Sequence, residues 1–186
     1  NFIVTDSEIA NATNQTGDKF KKIIERIIQN IEDYQIKTLP KSWITITDKS
    51  SMLGEIVNPL ESAALYIPGG TAPLISTVLM SATPARIAGV KNIYLCSPPA
   101  ADGSINPYIL TAAKMCGASK IYKIGGAQAI AAFAFGTESV PKADKIVGPG
   151  NIYVSVAKKL VYGDVNIDMF AGPSEILVYA DKSANP

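Results

Sequence analysis

Residues 144–162 read DKIVGPGNIYVSVAKKLVY, which is a short apolar run, a turn with two glycines and then a helix-like run. The same order recurs along the chain. Strand-like runs at Ile93 to Cys96, Lys120 to Ile124, Asp144 to Val147 and Val165 to Ile167 alternate with helix-like runs at Ser76 to Ala88, Tyr108 to Cys116, Ala127 to Phe135 and Ile152 to Tyr162. Such alternation predicts an α/β fold in which helical crossovers join parallel strands.

The region before this pattern is predicted to begin with helices. A shorter helix starts at Asp6 or Ser7, either of which can cap it, and a longer one starts at about Asp18. The longer helix carries an apolar stripe at three- and four-residue steps, formed by Phe20, Ile23, Ile24, Ile27, Ile28, Ile31 and Tyr34. After Pro40, strands are predicted at Ile44 to Thr47, Ser51 to Val57 and Ala63 to Ile67, and a last one at Ile176 to Ala180.

The composition is that of a globular chain, since 47% of its 186 residues are hydrophobic. Seventeen Lys and Arg residues nearly balance sixteen Asp and Glu residues. This balance argues against nucleic acid or an anionic membrane as a partner. No apolar run reaches the roughly 18 residues that a membrane span needs, and the start of the chain lacks the pattern of a secretion signal. We therefore expect a cytoplasmic protein.

Three glycine turns each separate an apolar strand from a helix, at Ile67 to Gly70, Ile124 to Gln128 and Val147 to Asn151. If the strands are parallel, all three turns lie at the carboxyl edge of one sheet, where ligands of open α/β sheets bind. Glycine lets a ligand approach the main chain, and the helix that follows directs free N–H groups toward an anion such as a pyrophosphate. One such turn could be merely a tight connection, but three together favour dinucleotide binding.

The third turn supplies only part of the usual dinucleotide fingerprint. Gly148 and Gly150 match its first two glycines, whereas Tyr153 stands at the position of the third. A standard binding mode is therefore not expected. Gln128 and Asn151, next to the glycines, could hydrogen-bond a nicotinamide amide or a ribose, or they could cap their helices.

Four further residues invite a functional and a purely structural interpretation. Tyr66 could stack on a ligand ring or simply end a strand. Ser174 is interpreted as a turn residue, because no histidine is present to activate it as a nucleophile. Asp164 and Asp168 are interpreted as solvated turn residues, because an acid/base pair or metal site needs more ligands than this stretch contains.

Histidine does not occur in the chain, and cysteine occurs only at Cys96 and Cys116. Histidine is the commonest general base near neutral pH and a common metal ligand, so these residues are not expected to complete a reaction by themselves. An aldehyde dehydrogenase that uses Cys96 as its thiolate is one alternative. The apolar strand around Cys96 instead predicts a buried structural thiol with a raised pKa.

Six longer motifs around these residues resemble the histidinol dehydrogenase family. They are LYIPGGTAPL at 65–74, ATPARIAG at 82–89, GGAQAIAA at 125–132, FGTESVP at 135–141, GPGN at 148–151 and AGPSE at 171–175. The similarity is dense from Tyr66 to Asp181 and thin before Tyr66. Several long motifs in one order are far more specific than any single glycine pattern.

The resemblance implies an NAD-dependent, zinc-containing dehydrogenase that oxidises L-histidinol through an aldehyde to L-histidine, at the end of histidine biosynthesis. By this resemblance Tyr66, Gln128 and Asn151 contact NAD and Ser174 contacts the substrate. The family's zinc ligands and its Glu-His proton-transfer pair lie C-terminal to the equivalent of Pro186. No catalytic residue and no metal ligand is therefore assigned in this segment, which by itself is expected to be inactive. Family members are also homodimers.

The resemblance further implies two Rossmann-like units, one of them discontinuous. Residues 1–64 are predicted to supply the N-terminal helices and strands of the discontinuous nucleotide-fold domain. Residues 65–175 form the inserted Rossmann-like NAD-binding domain, a parallel sheet flanked by helices. Residues 176–186 form a truncated return strand to the first domain. The competing interpretation, from a different functional class, is a non-catalytic nucleotide- or phosphate-binding module.

Overall fold

The computed structural model of this protein describes residues 2–47, 51–69, 73–169 and 175–184. The helices in these ranges are α1 (Asp6–Gln15), α2 (Gly17–Thr38), α3 (Ile75–Ile87), α4 (Pro107–Met115), α5 (Gly126–Phe135) and α6 (Ile152–Leu160). The strands are β1 (Trp43–Ile46), β2 (Met52–Glu55), β3 (Ser62–Tyr66), β4 (Asn92–Cys96), β5 (Lys120–Tyr122), β6 (Lys145–Val147) and β7 (Asn166–Ile167).

Strands β3 to β7 form a parallel sheet in the order β5-β4-β3-β6-β7, which confirms the predicted parallel sheet flanked by helices. The chain enters the sheet in the middle, at β3. It adds β4 and β5 on one side and then crosses over to add β6 and β7 on the other. This reversal creates a topological switch point between β3 and β6, where Leu65 pairs with Val147.

The two faces of the sheet are covered by different helices, because successive side chains of a strand point to opposite faces. In β3, Leu65 belongs to the core under α3 and α4, whereas Ala64 and Tyr66 belong to the core under α5 and α6. Helices α1 and α2 add a further layer on the first face, where they pack against α4 and α3. The central strands are therefore buried on both sides, as is usual for a parallel sheet that has helices on each face.

Helix α1 begins at Asp6, as predicted, but its N-terminal cap is Thr5 and not Asp6 or Ser7. The Thr5 hydroxyl accepts a hydrogen bond from the Glu8 N–H at 3.3 Å, and the Glu8 carboxylate accepts one from the Thr5 N–H at 2.8 Å. Such a reciprocal box needs a Glu or Gln three residues after the cap. In this segment Glu8 meets that condition for Thr5 but not for Asp6 or Ser7.

The predicted stripe of α2 is only partly buried. Ile24 and Ile28 are buried against the layer of α3 and α4. Ile23 and Tyr34, by contrast, are 49% and 65% exposed. No helix among the described residues is long and apolar enough to cross a membrane.

Strands β1 and β2 form a separate antiparallel hairpin whose side chains are all exposed. The last predicted strand, at Ile176 to Ala180, is not formed. Its apolar side chains from Ile176 to Tyr179 are at least 80% exposed, and no strand in the described part of the chain pairs with them. A strand gains its hydrogen bonds from a neighbour, so a strand-forming sequence without one stays extended but unpaired.

The division of the chain into an inserted and a discontinuous domain stays a prediction. Its boundary between residues 64 and 65 falls inside β3, which is one continuous strand at the centre of the sheet. Helices α1 and α2, assigned to the other domain, pack directly on α4 and α3.

Candidate functional site

The glycine turns meet at the carboxyl edge of the parallel sheet, as the sequence predicts. The hydroxyl of Tyr66, at the end of β3, accepts a hydrogen bond from the N–H of Gly126 at 3.0 Å. Gly148, which follows β6, lies against the backbone of Tyr66, where an added Cβ atom would overlap the carbonyl oxygen. Gly125 packs in the same way against the ring of Pro98, in the loop after β4. The ends of four strands are therefore in contact at one place.

Two cavities lie near the glycine turns, and the second of them reaches the switch point between β3 and β6. One, of about 600 Å³, lies between the first glycine turn and the loop after β4, and its walls include Pro68, Gly69 and Pro98. The other, of about 890 Å³, lies between α3 and β6 and is lined at one end by Gly148 and Pro149. Both volumes are in the range of small-molecule sites. Main-chain atoms and proline rings supply much of the first wall, so a ligand can approach the backbone closely there.

Tyr66 is almost completely enclosed, with 3% of its surface exposed. Burial raises the pKa of its hydroxyl, and the hydrogen bond from the Gly126 N–H lowers it by less. The neutral hydroxyl thus caps the first turn of α5, one of the places where a helix leaves N–H groups without intrahelical partners. Of the two roles considered for Tyr66 from the sequence, this conformation matches that of a residue at the end of a strand. Stacking on a ligand ring would require the Tyr66 side chain to move.

Gln128 and Asn151 stand at the starts of α5 and α6 and differ in what they already bind. The Oδ1 atom of Asn151 accepts a hydrogen bond from the Val154 N–H at 3.1 Å, so Asn151 caps α6. The exposed side chain of Gln128 forms no hydrogen bond with any described residue. Both donor and acceptor of the Gln128 amide, and the NH₂ group of Asn151, are therefore free for a ligand.

Two of the glycine N–H groups that the sequence suggested as open donors are already occupied. The Gly126 N–H donates to Tyr66, and the Gly148 N–H donates to a carboxylate oxygen of Asp168 at 2.8 Å. The donors that remain at these turns are the other first-turn N–H groups of α5 and, because Val154 donates to Asn151, those of Ile152 and Tyr153 in α6. An anion at this edge would therefore be bound by helix ends, and the glycines provide room for it.

Asp164 and Asp168 are both exposed, as expected, but Asp168 is more than a solvated turn residue. The Asp168 carboxylate forms an ion pair with Lys158 and accepts hydrogen bonds from the N–H groups of Gly148 and Met169. Burial opposes ionisation of Asp168, but these hydrogen bonds outweigh it and lower its pKa below the ordinary value. Asp168, which directly follows β7, therefore holds the third glycine turn to the end of that strand.

Lys158 was overlooked in the sequence, although its position carries a signal. It lies on α6 four residues after Val154 and three residues before Val161, which are both buried. That 3- and 4-residue spacing places Lys158 on the apolar face of the helix, where a charged residue needs a partner. Lys158 itself is only 5% exposed.

The remaining candidates do not add to the site. Cys96 is 1% exposed, and burial raises the pKa of its thiol, which counts against the aldehyde dehydrogenase alternative. Cys116 is also buried with a raised pKa. Ser174 lies outside the described residues. Within the described ranges no group of three or more His, Cys, Asp or Glu side chains is placed to hold a metal ion.

Comparison with known proteins gives a consistent result along the whole chain. The sequence model of the histidinol dehydrogenase family matches residues 1–186. The histidinol dehydrogenase of Carboxydothermus hydrogenoformans is 50% identical over the 186 residues, which cover 44% of that protein. The histidinol dehydrogenase of Lactococcus lactis subsp. lactis is 52% identical over the same length, which covers 43% of it.

The structural comparison agrees with the sequence comparison. The crystal structure of histidinol dehydrogenase from Elizabethkingia anophelis matches with a TM-score of 0.92 and 46% sequence identity. The match covers 100% of this chain and 43% of that one. The chain thus spans less than half the length of the relatives it matches.

Proposed function

The chain belongs to the histidinol dehydrogenase family, and from this we propose that it forms the NAD-binding part of an enzyme that oxidises L-histidinol. The reaction proceeds in two steps, through histidinaldehyde to L-histidine, within histidine biosynthesis. NAD is the hydride acceptor in each step. The residues of this chain bind and orient the cofactor, and the proton-transfer residues lie in sequence beyond it.

The observation that carries this proposal is a set of polar groups open to a ligand at the starts of α5 and α6, at the carboxyl edge of the sheet. Gln128 offers an exposed amide with no partner among the described residues, and Asn151 offers an NH₂ group beside the cap of α6. The first turns of α5 and α6 add backbone N–H groups that favour an anion. A dinucleotide needs donors for its pyrophosphate and for its nicotinamide amide, and this donor set fits both.

Tyr66 contributes to the same site by fixing the start of α5. Its buried hydroxyl ties the start of α5, and therefore Gln128, to the end of β3. We assign Tyr66, Gln128 and Asn151 to cofactor binding and Ser174 to substrate binding. No residue of this chain is assigned as an acid, base or nucleophile.

The residues of this chain do not fit a zinc ion. The chain has no histidine, and its described part contains no cluster of metal-binding side chains. We propose that zinc ligands lie in sequence that the longer relatives possess, and we assign no zinc-dependent step to this chain. We further propose a cytoplasmic homodimer in which residues 65–175 form the inserted NAD-binding domain and residues 1–64 and 176–186 belong to the other domain.

The competing function, a non-catalytic nucleotide- or phosphate-binding module, is less well supported. Glycine turns alone would suit both functions. The match to histidinol dehydrogenases, at 50–52% identity overall, covers all 186 residues and is not confined to the turns. A shared binding turn alone would not give a match of that length.

The test is NAD binding by the full-length protein that carries Gln128→Ala, measured by isothermal titration calorimetry. Loss of the amide removes one or two hydrogen bonds to the ligand, so we expect the Kd for NAD to rise about tenfold. The matched control is Gln15→Ala, at an exposed glutamine of α1 far along the chain from the turns. If both variants bind NAD like the wild type, Gln128 does not belong to the cofactor site.

A further inference from the structure

Both backbone polar groups of Gly148 are bound by side chains of the same chain. The Gly148 N–H donates to Oδ2 of Asp168 at 2.8 Å. The Gly148 carbonyl oxygen accepts a hydrogen bond from the ammonium group of Lys158 at 3.0 Å. Because these two groups belong to the peptide units on either side of the Gly148 Cα atom, the orientation of both peptide planes is set.

Lys158 and Asp168 also bind each other, which closes the network. Lys158 is 5% exposed, and moving a charge out of water costs free energy unless the charge is paired and hydrogen-bonded. Its two acceptors, the Asp168 carboxylate and the Gly148 carbonyl oxygen, meet that requirement. Asp168 accepts a further hydrogen bond from the Met169 N–H at 2.8 Å, so the carboxylate is oriented as well.

The network joins three successive pieces of the chain around Asn151. Gly148 follows β6, Lys158 lies in the last turn of α6, and Asp168 follows β7. Asn151, the N-terminal cap of α6, lies in the sequence between Gly148 and Lys158, which the network connects. Gly148 in turn rests on the backbone of Tyr66, so the network also sets the third turn against β3.

We propose that Lys158 and Asp168 are positioning residues for the cofactor. They hold the turn at Gly148 so that Asn151 and the first-turn N–H groups of α6 face the switch point. Neither side chain contacts the cofactor, since their polar atoms are already engaged with Gly148, Met169 and each other. This inference rests on the proposed NAD site, and it adds two residues that the glycine motif itself does not contain.

The test compares Lys158→Met, which removes the charge at similar length, with Lys159→Met, which changes the exposed neighbouring lysine of the same helix. Each variant is made in the full-length protein and measured below its unfolding transition, as established by circular dichroism. We expect the Kd and the KM for NAD to rise about tenfold in Lys158→Met, with kcat and the KM for L-histidinol within about twofold of the wild type. Lys159→Met should behave like the wild type.

A merely structural role predicts a different pattern. It would lower the amount of folded, active enzyme, and hence the apparent kcat, without changing the Kd of the molecules that remain folded. An unchanged Kd for NAD in folded Lys158→Met, with Gln128→Ala weakening NAD binding, overturns the positioning role and leaves the proposed function intact. If Gln128→Ala also leaves NAD binding unchanged, the cofactor site itself is wrong and the positioning role falls with it.

Asp168→Asn gives a second, milder measurement. The amide keeps one acceptor oxygen but cannot serve Gly148, Met169 and Lys158 together, so we expect the Kd for NAD to rise by a factor of about three to ten. Should Lys158→Met fail to fold, Asp168→Asn decides the matter by itself. An unchanged Kd for NAD in that variant contradicts the proposal.

Discussion

Two regions of this molecule, the central strand β3 and the hairpin of β1 and β2, both contain many apolar residues but lie in opposite environments. Every residue of β3 is at most 7% exposed. In β1, the apolar side chains of Trp43, Ile44 and Ile46 are 52%, 66% and 74% exposed. Both segments form strands, so strand formation follows from local preference and pairing. Burial depends instead on whether helices cover the strand, and of these two regions only β3 is covered by helices in the described part of the chain.

The largest effect is expected from a change that breaks the packing at the edge of the buried sheet. In Gly148→Ala, the new Cβ atom would overlap the carbonyl oxygen of Tyr66, and the backbone φ of +119° is unfavourable for alanine. We expect the free energy of unfolding of the chain to fall by more than about 3 kcal/mol, measured by urea denaturation.

The control for this change is Gly103→Ala. Gly103 also has a positive φ, of +79°, but no atom lies within 4 Å of the position of its Cβ. Only the backbone strain should remain there, at about 1 kcal/mol. If the two variants lose equal stability, steric contact with Tyr66 is not what requires glycine at residue 148.

A matched pair of truncations compares the two β regions directly. Leu65 in β3 is fully buried, so Leu65→Ala should lower the free energy of unfolding by about 3 kcal/mol through lost burial and a cavity. Ile46→Ala in the exposed hairpin should change it by less than about 0.5 kcal/mol. Urea denaturation of the two variants tests the contrast. A loss at Ile46 as large as that at Leu65 would mean that the hairpin is packed against something in solution.

The smallest effect concerns the ion pair that ties α1 to the residue after β5. The pKa of Glu8 is lowered from 4.5 to about 2, first by the hydrogen bond from Lys123 and then by the Thr5 N–H. A carboxyl group whose pKa is lower in the folded state stabilises the fold fully above its unfolded pKa and loses this contribution as the pH falls through its folded pKa. The stabilisation should therefore be present above pH 4.5 and disappear toward pH 2.

The variant Glu8→Gln tests this direction of the pH dependence of stability. The difference in Tm between the wild type and Glu8→Gln should be largest above pH 4.5 and should shrink as the pH is lowered toward about 2. Glu25→Gln, at an exposed glutamate of α2, is the control. A difference that stays constant across this range, or that grows on acidification, would contradict the role of the Glu8–Lys123 pair.

Much of the fold could be predicted because local patterns and pairing agree. The alternation from Ile93 to Ile167 identified the parallel strands and their helices, and the glycine turns were placed correctly at one edge. The cap of α1 was assigned to Asp6 or Ser7, because the pairing of Thr5 with Glu8 was not considered. The strand at Ile176 to Ala180 was predicted from its composition alone, and composition does not supply a partner strand.

Some features of the candidate site could likewise be predicted from the sequence, and others could not. The positions of Gln128 and Asn151 at the starts of their helices follow from the spacing of the glycine turns. The occupied N–H groups of Gly126 and Gly148 could not be predicted, because their partners, Tyr66 and Asp168, are 60 and 20 residues away in sequence. Lys158 was identifiable as a lysine on an apolar helix face, but its acceptors were not.

The sequence by itself determined the class of fold, the order of its strands and helices, the turns that face the edge of the sheet, and the family to which the motifs point. These properties depend on periodicity, glycine placement and residue identity, all of which are local. Only the tertiary structure decided the strand order with its switch point, the helices that bury β3 but not β1, and the side chains that occupy the glycine N–H groups. Those properties depend on contacts between residues far apart in the chain, and a linear pattern does not specify which distant groups will meet.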